Sequence, residues 1–220
     1  MIPLLSGPCK DLLRFLILAM LVLAGCSKPK PDTRSMAKLE LSAEAFINAE
    51  DFSGAEKELS QIVAQDPKNF DAWIGRGAVR IFLGNAQGSE DDFKAAAALD
   101  AKKEKDARFF VSDRAIWRAR ELDMKGGKTE ALKIYDVILK LNPKSGMAYH
   151  ERGALKIDLK EYDEAIADFT KAIEFDDGNN SAGDSFELRA KAKKAKGDET
   201  GAKEDEKRAS ATDHESKSPD

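Results

Sequence analysis

Apolar residues follow two patterns along the chain. From Phe15 to Ala24 they form an uncharged run of 10 residues. From Met36 onward they recur at intervals of three and four, the spacing that gathers them on one face of an α-helix. The first run is too short to span a bilayer as a helix, which takes roughly 20 apolar residues. It suits the apolar core of a secretory leader, with Lys10 and Arg14 ahead of it and the small Ala24 and Gly25 behind. Ser27 to about Ser35 is polar, contains Pro29 and Pro31, and reads as a short extended linker.

The helical part repeats itself. With an offset of 76, residues 72–100 and 148–176 share 10 of 29 identities, among them Arg76/Arg152, Gly77/Gly153, Phe93/Phe169, Ala96/Ala172 and Asp100/Asp176. The shared positions are spaced like two helices joined by a turn. Four copies follow: 36–69, 70–103, 112–145 and 146–179. The first has Leu39, Ala43, Phe46, Phe52, Ala55, Leu59 and Pro67, and the second Trp73, Gly77, Gly84, Phe93 and Ala96, with Ser89 in place of a second-helix Ala. The third and loosest has Ala119, Leu122, Ala131, Tyr135 and Pro143. The fourth has Tyr149, Gly153, Tyr162, Ala165, Phe169 and Ala172, with Lys156 where an aromatic is usual.

These residues resemble the tetratricopeptide repeat, a helix-turn-helix unit of 34 residues. The resemblance implies an all-α fold, an α-solenoid of tandem helix-turn-helix repeats in which each repeat contacts its neighbours. Small residues at repeat positions 8 and 20 let paired helices approach, and aromatics fill the wedges between them. Arg76 and Asp92 occupy positions 7 and 23 of the second copy, as Arg152 and Asp168 do in the fourth. Each pair is placed to bridge its hairpin, and two solvated charges are the alternative.

Two stretches break the register. Residues 104–111 are inserted between the second and third copies. Ala107, Val111, Ala115, Ala119 and Leu122 keep helical spacing through them, so the insertion extends the next helix backwards and Phe109 and Phe110 are expected in the core. The alternative is a loop with an exposed aromatic patch that docks a partner. The stretch from Asp176 to Ser185 reads as a loop. Residues 185–196, with Phe186, Leu188 and Ala190 ahead of a lysine-rich run, read as a C-terminal capping helix. Residues 197–220 contain no Leu, Ile, Val, Met or aromatic and read as a charged disordered tail, with room for a short helix near Ala202–Ala209.

Composition narrows the chemistry. The chain has 36 basic and 40 acidic side chains, a net charge of −4, which gives no support for nucleic-acid binding. Two Cys and two His leave little room for a metal site and exclude a disulfide-stapled fold. Of the histidines, only His150 lies in a repeat; His214 is in the tail. No Ser-His-Asp arrangement or phosphate-cradling glycine loop is present. Carboxylate pairs abound because the chain is acidic, and nothing selects one. The reading is therefore a non-enzyme without cofactor or metal.

The leader ends in Leu23-Ala24-Gly25-Cys26, which resembles the lipobox of bacterial lipoproteins. That resemblance implies cleavage of a 1–25 signal peptide, a covalent palmitate-bearing lipid on Cys26 and a lipidated tether over 26–35. Ser27, in place of the Asp that retains family members at the inner membrane, points to the outer membrane, facing the periplasm. Two or more acyl chains hold a protein on a membrane stably.

In the repeat family, positions 2, 5, 9, 12 and 13 line a concave groove. Carried onto this chain, they nominate Glu40 and Glu44 in the first copy and Ile74, Ala78, Ile81 and Phe82 in the second. Ile116, Arg120 and Asp123 follow in the third, and His150, Ala154 and Ile157 in the fourth. Apolar walls with acidic flanks suit an amphipathic or basic segment of another protein; packing within the repeats is the alternative for the apolar members. The expected function is a membrane-anchored scaffold that binds another cell-envelope protein, with envelope assembly as its setting. A self-associating structural lipoprotein with no peptide ligand is the first alternative, and an enzyme is the second.

Overall fold

The computed structural model describes residues 33–176 and 181–215. The proposed signal peptide, Cys26 and most of the tether lie outside the described residues. Ten helices and no strands occur among them: α1 Thr33–Asn48, α2 Phe52–Gln65, α3 Phe70–Phe82, α4 Ala86–Leu99, α5 Ala101–Met124, α6 Lys128–Leu141, α7 Gly146–Asp158, α8 Tyr162–Glu174, α9 Ser181–Ala195 and α10 Glu199–Glu215. They form five successive hairpins in two compact units that divide between Ala115 and Ile116. The boundary falls inside α5.

Each hairpin turns the same way. The residue at repeat position 15 has a left-handed backbone in all five: Glu50, Gly84, Gly126, Lys160 and Gly197, with φ between 60° and 86°. Glycine adopts that conformation freely, whereas Glu50 and Lys160 carry a Cβ penalty. In three of the five, the side chain of the next residue caps the second helix. Asp51 accepts a hydrogen bond from the Gly54 amide, Asn85 from Gly88 and Asp198 from Gly201, each at 2.9 Å, which satisfies amides that a helix start leaves free.

Packing follows the small-to-large pairing that the pattern predicts. A Cβ added at Gly77 would stand 3.0 Å from the Phe93 ring, and one at Gly153 3.1 Å from the Phe169 ring. Both rings are fully buried, as are Ala55, Ala96, Ala131 and Ala165. Ser89, the polar substitute for a second-helix Ala, is buried and donates to the Gly77 carbonyl at 2.8 Å, so its hydroxyl is not left unpaired.

The predicted Arg–Asp bridges form, and each is part of a larger cluster. Arg76 grips Asp92 through Nε and Nη2, with a shortest contact of 2.6 Å, and Arg80 adds a bond of 2.9 Å. Arg152 and Lys156 do the same to Asp168, and Arg189 and Lys193 to Asp205. Lys156 thus stands where an aromatic is usual because it is the second cation on a buried carboxylate. Each arginine also reaches back to the preceding hairpin: Arg76 to Ser60, Arg152 to Asp136 and Arg189 to Thr170. Each lies on the aromatic three residues before it, Trp73, Tyr149 or Phe186.

The third of these clusters overturns the expected disordered tail. Residues 199–215 are helical, and α9 begins at Ser181, inside the expected loop, rather than at 185. What reads as a lone cap is the first helix of a fifth hairpin. Without large apolar residues, α10 is held by the fully buried Ala202, by Ala209 and by Asp205, which is 1% exposed. Burial alone would raise the Asp205 pKa, but hydrogen bonds from Arg189 and Lys193 overcome it and hold the carboxyl below its usual range.

The insertion joins α5 as expected, but its aromatics do not enter the core. Ala107, Ala115 and Ala119 are buried, whereas Phe109 is 71% exposed and Phe110 53%. The face that docks does so through Arg108, which bonds Glu90 at 2.7 Å and Glu104 at 2.5 Å and stacks on Phe93. With alanines and an arginine filling the contact, the two phenylalanines project from the opposite side.

Candidate functional site

An apolar cavity lies in the first unit. Ala43 and Ile47 of α1, Phe52, Leu59 and Ile62 of α2, and Ile74, Ala78, Val79 and Phe82 of α3 make its apolar wall, with Val111 of α5. Phe52 and Phe82 stack there, ring centroids 4.7 Å apart. Glu40, Asn69, Asp71 and Arg114 supply the polar groups. The cavity volume is about 60 Å³. A water-sized group takes roughly 10–15 Å³ on this measure, so the space accepts about four heavy atoms, the size of a Leu, Ile or Met side chain.

Asp71 sets the electrostatics of this rim. Burial raises its pKa, and the Lys103 ammonium, 3.1 Å away, partly opposes that shift. Lys103 also sits over the Phe70 ring at 4.1 Å. Asn69 is turned to the backbone, where it caps Ala72 at 3.0 Å. The opening is therefore apolar, with two carboxylates and one guanidinium at its margin.

Four of the six residues nominated in this unit, Glu40, Ile74, Ala78 and Phe82, share the cavity wall. Ile81 is fully buried and Glu44 is half-buried on α1, both outside the lining. The nominated positions all lie on first helices, so the contributions of Phe52, Leu59 and Ile62 from α2 were missed. Their spacing at i, i+7 and i+10 on an amphipathic helix was the available signal.

In the second unit the nominated residues surround a polar cluster. Arg120 approaches Glu151 at 3.4 Å, and Asp123 faces Lys128 at 3.7 Å. His150 Nδ1 lies 2.8 Å from Ser185 Oγ, and its ring meets Phe169 edge-on. Burial lowers the His150 pKa, and Arg120 adds to this while Glu151 and Asp184 oppose it. Tyr135 is pushed up, first by burial and then by Glu151 and Asp123. Ser185 is 1% exposed, and the His-Ser pair is a packed hydrogen bond between α7 and α9. Ile116 and Ile157 are core residues and Ala154 is half-buried. Among the described residues, no group of three or more His, Cys, Asp or Glu is placed to hold a metal.

Stacked helical hairpins with a recurring small-residue and aromatic register define an all-α repeat protein, a class whose extended surfaces serve as binding scaffolds. The tetratricopeptide repeat family matches residues 41–104. That match places tetratricopeptide repeats in the first unit of the chain. It is similar to human tetratricopeptide repeat protein 6, with 31% identity over 114 residues, 52% of this chain and 20% of that protein. It is also similar to a DnaJ homolog subfamily C member 7 homolog of Schizosaccharomyces pombe, with 25% identity over 168 residues, 73% of this chain and 35% of that one. The chain thus spans about a fifth and a third of these relatives. Among solved structures, MamA aligns with 19% identity and a TM-score of 0.45 over 79% of this chain and 95% of that one. YrrB, described as a tetratricopeptide-repeat protein with an unusual peptide-binding site, aligns with 18% identity and a TM-score of 0.42 over 77% and 82%.

Proposed function

We propose that the protein is a lipid-anchored scaffold of a bacterial cell envelope, tethered through Cys26, whose first-unit groove holds a segment of another envelope protein. The observation that carries this reading is the apolar cavity with Glu40 and Asp71 at its margin. An inserted Leu, Ile or Met side chain would leave water for a wall of aliphatic and aromatic carbon, worth about 1.5–3 kcal/mol. A Lys or Arg beside that anchor would meet Glu40 and would share Asp71 with Lys103. Such a contact is of modest strength and suits a reversible partner or one held at high local concentration by a shared membrane. The lipobox-like Leu23-Ala24-Gly25-Cys26 supports the anchor, and Ser27 supports the outer membrane.

A photoreactive side chain at Phe82, in the full chain in living cells, tests the groove. The expected product is a discrete crosslink to one envelope protein that disappears when Glu40 and Asp71 are both changed to Lys. Equal crosslinking from Phe82 and from Leu83, which lies outside the lining, would overturn the groove reading. A crosslinked dimer would assign the groove to a second copy. Palmitate labelling lost in Cys26→Ala tests the anchor independently.

A further inference from the structure

We propose that the solvent face of α5 from Lys102 to Phe110 seats the first unit on an anionic lipid surface, an inference that rests on the lipid-anchor reading above. Phe109 and Phe110 are the most exposed aromatics described, and their rings pack edge-to-face with centroids 5.8 Å apart. Two adjacent exposed phenylalanines form an apolar tip of the kind that enters the headgroup–acyl boundary. Lys102 and Lys105 are exposed on the same stretch, against one exposed carboxylate, Asp106. Lys102, Lys105 and Phe109 follow i, i+3 and i+7, so the cationic line and the aromatic tip share a face. Lysines flanking an apolar tip complement an anionic bilayer, although the chain as a whole is acidic.

The face is held in place. Behind it, Arg108 is fixed to Glu90 and Glu104, and Lys103 to Asp71. The phenylalanines therefore project from a braced helix.

Chain length brings this face to the membrane. Six residues lie between Cys26 and Thr33, where α1 begins, so the chain reaches at most about 25 Å from one to the other. Glu40, Ala43 and Ile47 of α1 line the same cavity as Val111 and Arg114 of α5. A lipid on Cys26 thus confines α5 to the neighbourhood of the bilayer. A protein partner would also cover exposed phenylalanines, but neither the tether nor the lysines call for one.

The test uses the full chain with Trp73→Phe, Trp117→Phe and Phe110→Trp, so that a single indole reports from the tip. It is reconstituted in vesicles of phosphatidylethanolamine and phosphatidylglycerol brominated at shallow acyl positions. The expected result is loss of most of the emission with a blue shift, largely reversed by Lys102→Glu with Lys105→Glu or by high salt. An indole that stays unquenched overturns the proposal, and a protein crosslink from Phe109 in cells would then name the alternative occupant. Palmitate on Cys26 is measured on the same material. A labelled but unquenched chain sinks the docking and leaves the anchor. An unlabelled but quenched chain sinks the anchor and leaves the docking, and an unlabelled, unquenched chain sinks both.

Discussion

Replacing Asp205 by Asn should detach α10 while the rest of the second unit stays folded. The carboxylate is 2% exposed at its side chain and receives Arg189 at 2.7 Å and Lys193 at 2.8 Å. Removing one partner of a buried ion pair costs about 3–5 kcal/mol, because the remaining charge stays uncompensated. Here Arg189 keeps its bond to Thr170 and Lys193 its bond to the Gly201 carbonyl, which puts the cost near the lower end. A loss of about 3 kcal/mol raises the open population of the terminal hairpin roughly 150-fold, at 1.36 kcal/mol per decade. Hairpins in a repeat array open from the end, so the change is local. Amide hydrogen exchange within 202–210 should accelerate by about that factor, with α7 and α8 unaffected. Glu206→Gln is the control, since Glu206 pairs with Lys194 on the exposed face and a surface pair contributes about 0–1 kcal/mol. If Asp205→Asn and Glu206→Gln give the same exchange, the buried cluster is not what holds α10.

Acid should release the same helix. The Asp205 pKa is depressed in the folded chain, so its contribution is complete above the unfolded value near 3.9 and is lost as pH falls through the folded value; α10 exchange against pH would show this. His150 has a lowered pKa, so its neutral form is favoured on folding. Stability should fall as pH drops below about 6.5 and level off below the folded value, and His150→Gln should flatten that slope in denaturant titrations. Lys160→Gly relieves a left-handed backbone with φ of 63° and should gain roughly 0.5–1 kcal/mol, the Cβ penalty less the entropy glycine adds to the unfolded chain. Gly153→Val should cost about 2–3 kcal/mol by overpacking against Phe169, whereas Gly153→Ala should be near neutral because helix propensity offsets the tighter contact; urea midpoints separate the two.

The repeats were legible where large side chains mark them. Trp73, Phe93, Tyr149 and Phe169, paired with small residues at fixed distances, announce helices that must interlock. The fifth hairpin was obscured because Glu206 stands at the position of the buried aromatics and nothing apolar larger than Ala lies in α10. Its signal was ionic and conformational: Phe186, Arg189, Lys193 and Asp205 repeat the spacing of Tyr149, Arg152, Lys156 and Asp168, and Gly197-Asp198 with Gly201 repeats Gly84-Asn85 with Gly88. The groove was half legible. First-helix positions could be carried over from the repeat pattern, but the cavity also draws on α2 and α5, which meet those positions only in the folded unit.

The backward reach of the three arginines gives assembly a direction. As the chain emerges amino end first, from a ribosome or through a membrane pore, Ser60, Asp136 and Thr170 are already exposed when Arg76, Arg152 and Arg189 appear. The matching aspartates arrive 16 residues later. Each new first helix can therefore be caught by the hairpin before it and locked only when its own second helix follows. Within each unit, that order lays hairpins down in register as they are delivered, with α10 the last to be secured.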